Sequence, residues 1–186
     1  MLILENGRPS DTAGRLAREV AVYELLDRLG IAYGRVDHEA AFTMEACEAV
    51  DRALAPAVIC KNLFLCNTQQ TAFYLLMLRG DKRFRTKEIS AQLGVARLSF
   101  APEALLPEYL GLTQGSVSVL GLMNDAERRV QLLFDRDLLK EEYFGCHPCI
   151  NTSTLKMRTA DVTEKVIPAM RHEIRYVDLP WEAEES

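Results

Sequence analysis

The sequence predicts a single α+β or mixed-sheet α/β domain, on three observations. Helical and strand patterns are interspersed without a strict strand–helix alternation. The chain has 186 residues, the size of one domain and enough to bury roughly 70% of the unfolded surface. The run Ala72–Leu78 is apolar on both faces, as a strand in the middle of a sheet must be.

The elements follow in order. Residues 1–9 start apolar, turn polar and are expected to be loosely held. Ser10 or Asp11 can cap a first helix in which Leu16, Val20, Tyr23, Leu26 and Leu29 recur at three- and four-residue steps, ended by Gly30. Tyr33–His38 reads as a short strand. Thr43 caps a second helix running to about Leu54, with Glu45 and Glu48 near its positive end. Ala57–Cys66 and Ala72–Leu78 are strands joined by a polar link, and a charged turn, Arg79–Arg85, follows. Thr86 caps a helix ending near Gly94, Arg97–Phe100 is extended, and Pro102 opens a helix to about Leu110. Residues 111–125 are rich in Gly, Ser and Thr. Arg129–Asp135 is a strand, residues 136–142 a short helix, Ile150–Met157 extended, Ala160–Met170 helical and Glu173–Val177 a last strand. The domain is thus expected over residues 10–180, with an acidic tail over residues 181–186 that frays.

Composition narrows the function. Lys and Arg number 22 against 27 Asp and Glu, a net charge of −5. An acidic protein is no bulk nucleic-acid coat; contact with phosphates would need a local basic patch. The apolar opening Met1–Leu4 breaks at Glu5, which leaves no signal-peptide core, and no apolar run approaches the ~20 residues that span a bilayer. Five cysteines without an export signal point to reduced thiols, and the expected location is the cytoplasm.

Four features carry chemistry. Period-two alternation in Ala57–Cys66 sets Ile59, Lys61, Leu63 and Leu65 on one face, and Val58, Cys60, Asn62, Phe64 and Cys66 on the other. Lys61 is then either an edge lysine that snorkels to water or the floor of an anion- or carbonyl-binding cleft. Asn62 taken alone is more simply structural. The run Gly111–Leu122 offers backbone that a ligand can approach closely. It lacks the Gly-Lys-Ser/Thr of a Walker loop and the spacing of a dinucleotide fingerprint, so a plain loop is the simpler reading. Cys146 and Cys149 form a CxxC, but no second pair completes a zinc site, His38 and His172 stand isolated, and the following Asn-Thr-Ser-Thr stretch is no helix start for a redox motif. His147, before Pro148, is held in a turn. It is a general base, an orienting group or a satisfied surface histidine. In Arg79–Lys87, five of nine residues are basic and Phe84 lies among them. A solvated turn and a phosphate-contacting lip both fit.

Taken together, the stretches Val58–Phe64, Phe73–Leu78 with Gly80-Asp81-Lys82, Thr113–Asp125 and Cys146–Thr152 resemble the YbaK/prolyl-tRNA-synthetase-associated domain, most closely the free-standing PrdX-type editing proteins, over about residues 15–180. The resemblance implies a mixed, barrel-like sheet wrapped by helices. It implies an aminoacyl-tRNA hydrolase that removes a wrong amino acid, chiefly alanine, from tRNA for proline. Its partner is the tRNA acceptor end, with prolyl-tRNA synthetase as a second candidate; no DNA, membrane or cofactor is implied. The family's invariant lysine falls on Lys61, its functional asparagine on Asn62, its glycine loop on Gly115–Gly121, and the histidine of the alanine-specific branch on His147. Val119 stands where the family usually has proline, and Gln114 where proline is frequent. Lys61, Asn62, Gly115 and His147 are thus expected to be catalytic. Ser116, Ser118, Gly121, Asn151, Arg79, Lys82 and Arg83 are expected to bind substrate. Other readings are a non-catalytic tRNA- or synthetase-binding module, a preference for Cys or Ser esters, and a thiol or zinc protein built on Cys146 and Cys149.

Overall fold

A computed structural model describes residues 2–40 and 44–181 of the chain. In chain order the elements are β1 (Glu5–Asn6), α1 (Ala17–Arg28), β2 (Tyr33–Asp37), α2 (Met44–Leu54), β3 (Val58–Cys66), β4 (Phe73–Arg79), α3 (Thr86–Leu93), β5 (Ser99–Phe100), α4 (Leu106–Leu110), β6 (Val130–Asp135), β7 (Tyr143–Cys146), β8 (Ser153–Arg158), a helical run α5 (159–169) and β9 (Ile174–Val177). The strands form one nine-stranded mixed sheet in the order β1-β2-β8-β7-β3-β4-β6-β9, with β5 on β3. As expected, β4 is central and buried on both faces.

Alternation along β3, β4 and β6 divides the core. Cys60, Phe64, Leu75, Met77, Leu132 and Phe134 face α1, α4 and α5. Leu65, Tyr74, Leu76, Leu78 and Leu133 face α3 and Leu179. The amphipathic α2 seats Val50 and Leu54 beside Val36 of β2 in a smaller cluster.

Local chemistry departs from the sequence reading at several points. Glu5–Asn6 pair with β2, where a loosely held N-terminus was expected. Leu16 precedes α1 and gives no side-chain cap, while Asp11 accepts from the Ala13 N–H in its own turn. Thr43, the expected cap of α2, lies outside the described residues. Thr86 is the first residue of α3 rather than its cap. Val119–Asn124 and Arg136–Lys140 wind as 3₁₀ helices, and α5 contains a π turn over Val162–Val166. The strand β7 has no counterpart in the sequence reading, because a four-residue segment ending in Gly145-Cys146 shows no period.

The pivot is β3. One edge carries β4; the other is shared by β7, which pairs in parallel only at Val58 and Ile59, and β5, which pairs at Leu65 and Cys66. Between those contacts β7 parts from β3, and the gap opens a cavity.

Candidate active site

The cavity holds about 410 Å³. Its apolar wall is Val50, Ile59 and Val117, and its polar groups are His38, Asp51, Asn62, His147, Asn151 and Thr154. Asn62 reaches it from β3, His147 from the turn after β7, Asn151 from the same turn and Gly115 from the long loop. Four of the residues singled out in the sequence, Asn62, Gly115, His147 and Asn151, are therefore brought together.

His147 has defined chemistry. Its Nδ1 lies 2.8 Å from the Ser153 carbonyl. A carbonyl can only accept, so Nδ1 carries the proton and Nε2 keeps its lone pair for the cavity the ring lines. Burial lowers the imidazole below its ordinary value, with the nearby His38 acting in the same direction and the Ser153 carbonyl opposing both. The ring is thus a neutral base at neutral pH. The Asn62 amide donates from Nδ2 to the Cys60 carbonyl at 3.4 Å, while its buried Oδ1 has no partner among the described residues. Gly115 has a φ of +81°, which glycine adopts without strain, and a Cβ there would stand 3.6 Å from Asn151 Nδ2, so the loop and the turn meet at this residue.

The other expected site residues lie elsewhere. Lys61 points away from Asn62, as alternation requires, and does not line the cavity; it is exposed, and its Nζ donates to the Lys82 carbonyl at 2.8 Å. Lys82 is corrected outright. It is 1% exposed, its Nζ lies 2.7 Å from Asp135 and 2.6 Å from Asp137, and it donates to the Leu179 carbonyl at 2.7 Å. A lysine spent on two carboxylates inside the protein has no donor left for RNA. Arg79, partly buried, is paired with Asp81 at 2.8 Å and with Glu141. Arg83 is exposed on the turn.

Three loop residues serve the loop itself. Ser116 is buried, donates to the Thr113 carbonyl at 2.8 Å and accepts from the Thr113 N–H at 3.2 Å. Ser118 is buried and caps the 3₁₀ turn through the Leu120 N–H at 3.2 Å. Gly121 is buried where a Cβ would stand 2.6 Å from Leu112 Cδ1. Their smallness and hydroxyls shape the loop from behind, and none lines the cavity.

Cys146 and Cys149 are both buried among apolar side chains, which pushes each thiol up to about 12. They are thiols at physiological pH, whereas the reactive form of a cysteine nucleophile is the thiolate. His38, set aside in the sequence as isolated, stands with its ring centroid 6.2 Å from that of His147. Asp51, Thr154 and His38 were not singled out in the sequence because nothing in their local pattern distinguishes them; the pairing of β2 with β8 and the packing of α2 bring them to the cavity.

Residues 38–165 match the family model of the aminoacyl-tRNA editing domain. The chain is 32% identical over 159 residues to the prolyl-tRNA editing protein ProX of Acetoanaerobium sticklandii, which covers 86% of this chain and 96% of that protein. It is 36% identical over 141 residues to the prolyl-tRNA synthetase associated domain-containing protein 1 of Danio rerio, covering 75% of this chain and 76% of that one. A solved structure described as a proposed trans-editing enzyme for prolyl-tRNA synthetase superposes with a TM-score of 0.63 at 14% identity, covering 89% of this chain and 99% of the other. At that identity the likeness is one of fold.

Proposed function

The chain belongs to the aminoacyl-tRNA editing domain family, and from that premise we propose that it is a trans-editing deacylase that hydrolyses the ester of mischarged tRNA for proline, with the alanyl ester as its preferred substrate. The observation that carries the proposal is the neutral His147, whose Nδ1–H is spent on the Ser153 carbonyl and whose Nε2 is left to a cavity shared with Asn62, Gly115 and Asn151.

An aminoacyl ester is activated enough to need no covalent nucleophile. In the proposed step, His147 Nε2 takes a proton from a water as its oxygen bonds to the ester carbon. The carbonyl oxygen becomes an oxyanion. The N–H groups of Ser116, Leu120 and Gly121 are occupied within the loop, so Gly115 and Val117, which line the cavity, are the loop residues placed to donate to it. The imidazolium then returns its proton to the leaving ribose oxygen as the ester C–O bond breaks, releasing the free amino acid and intact tRNA. Asn62 Oδ1 is an acceptor for a donor on the substrate, either the α-ammonium or a ribose hydroxyl. Lys61, exposed and with one of its three N–H groups on the Lys82 carbonyl, has two left for a phosphate of the acceptor end outside the ester cavity. Arg83 on the adjacent turn extends that cationic track.

Selectivity would be steric. One methylene is worth only about 1–3 kcal/mol to a synthetase pocket, so a second, smaller pocket must do the sorting. The wall of Val50, Ile59 and Val117 supplies the apolar surface for a small side chain. A deacylation panel of Ala-, Cys-, Ser- and Pro-charged tRNA tests the reading. The alanyl ester should be cleared fastest and the prolyl ester spared. Equal clearance of the prolyl ester would overturn the sieve, and clearance of none would overturn the enzyme.

A further inference from the structure

We propose that His38 and Thr154 form a positioning relay that holds His147 in the tautomer able to take a proton from water. The inference rests on the reading of His147 as the base. It concerns two residues that the chemistry above does not use.

For a neutral His38, the contacts admit one consistent arrangement of protons. His38 Nδ1 lies 2.7 Å from the Glu39 carbonyl, which can only accept, so the proton of neutral His38 is on Nδ1. Its Nε2 is then an acceptor, and the Thr154 hydroxyl, 2.8 Å away, donates to it. That commits the hydroxyl proton. The Thr154 oxygen keeps only lone pairs, and His147 Nδ1 lies 3.4 Å from it. The His147 Nδ1–H is therefore shared between the Ser153 carbonyl and an oxygen that has been turned into an acceptor. Each of His147, Thr154 and His38 donates once, all in one direction, and the direction ends on a backbone carbonyl.

The reverse arrangement is what the relay excludes. A Thr154 hydroxyl aimed at His147 would require a bare Nδ1, set its lone pair against the Ser153 carbonyl oxygen and move the proton to Nε2, where it blocks proton uptake. When Nε2 takes a proton from water, the imidazolium's charge falls on the same Nδ1–H, and the Thr154 oxygen and Ser153 carbonyl face it as dipoles already oriented.

The backbone makes the placement rigid. Val36 and Asp37 of β2 pair with Thr154 and Ser153 of β8, and the His38 N–H donates to the Thr152 carbonyl at 3.0 Å. The two ends of the relay are thus carried on adjacent, hydrogen-bonded strands although His38 and Thr154 lie 116 residues apart in sequence. Both rings line the cavity, so the relay is part of the site wall.

The test combines kinetics with nitrogen NMR. His38→Phe keeps the ring volume and removes the acceptor. It should lower kcat on alanyl-tRNA for proline about tenfold, the lower end of what an orienting partner contributes, with KM within about twofold. In the same variant, free of substrate, long-range ¹⁵N–¹H spectra should show the Nε2–H tautomer of His147 appearing where the unaltered protein shows Nδ1–H alone. His38→Gln, whose amide oxygen can accept from Thr154, should recover most of the loss. If His38→Phe does not fold, Thr154→Val against Thr154→Ser reads the same quantity, with Ser restoring the hydroxyl. An unchanged kcat with His147 still wholly in the Nδ1–H tautomer, in either first variant, would overturn the proposal by showing that the Ser153 carbonyl suffices. Absence of deacylation by the unaltered protein would instead overturn the functional reading, and the tautomer spectra would still decide the relay.

Discussion

The proposed role of His147 as base draws on two features of the ring: burial lowers its proton affinity, and a carbonyl sets its tautomer. Replacing it with Asn, which keeps a donor near the Ser153 carbonyl but is no base, should lower kcat by about 10²-fold or more with a smaller effect on KM. The same lowering fixes the sign of the pH response. The base is neutral above its depressed value, so deacylation should be level through neutrality and fall on the acid side, below the ordinary histidine value of about 6.5. A pH–rate profile that fell already above that value would contradict the assignment. Lys82 shows the opposite use of a charged side chain. Its ammonium is enclosed by Asp135 and Asp137 and tied to Leu179. Lys82→Met should cost about 3–5 kcal/mol in a denaturant titration, because the buried Asp135 loses its counter-charge, whereas Asp137 keeps Lys140 at 2.5 Å. Adding Asp135→Asn should return part of that loss. A surface lysine contacting RNA would show neither effect.

At the scale of elements, the site is a consequence of two parallel strands that pair briefly and then separate. Gly145 of β7 sits where a Cβ would come within 2.5 Å of Ile59 Cδ1 on β3. The end of an isoleucine can yield, and the space beside it is the cavity that Ile59 lines. Gly145→Ala should therefore reduce kcat/KM more than it reduces stability, with an overpacking cost of about 1–3 kcal/mol at most. The companion Ile59→Val, which removes that Cδ1, should restore activity. Gly80 provides the contrast. A Cβ there would stand 2.7 Å from the Ile59 carbonyl oxygen, and backbone cannot step aside, so Gly80→Ala should destabilise the β3–β4 pairing without a repair of this kind. The helix α2 closes the cavity from the other side with Val50 and Asp51.

For the whole molecule, the net charge of −5 sets the character of any tRNA contact. Two of the five basic residues in Arg79–Lys87, Arg79 and Lys82, are spent on carboxylates, which reduces the cations that can meet a phosphate. Few phosphates can then be neutralised, and the logarithm of affinity should fall with the logarithm of salt with a shallow slope, about 0.9 per phosphate contacted on duplex and less on single strand. Titration of tRNA binding between low and physiological salt measures that slope. Lys61→Ala should reduce it by about one contact and raise KM. No described helix is long and apolar enough to cross a membrane.

Much of this was legible in the sequence. The doubly apolar run Ala72–Leu78 placed β4 at the centre of the sheet. Alternation along β3 put Lys61 and Asn62 on opposite faces, because side chains of successive strand residues must diverge. The Gly115 loop and the Cys146–Thr152 turn marked two sides of the cavity. What alternation cannot say is which face of β3 opens on the gap, and that is decided by where β7 leaves it. Nor could composition separate a phosphate-binding lysine from a structural one: Lys82 became structural only because β6 and the turn after it brought Asp135 and Asp137 to it. His38 carried no local signal at all. It meets Thr154 across 116 residues through the pairing of β2 with β8. Short-range patterns are fixed by neighbours along the chain, and those the sequence determined; a proton relay needs three groups at hydrogen-bond distance from remote segments, and only the closed sheet supplies that.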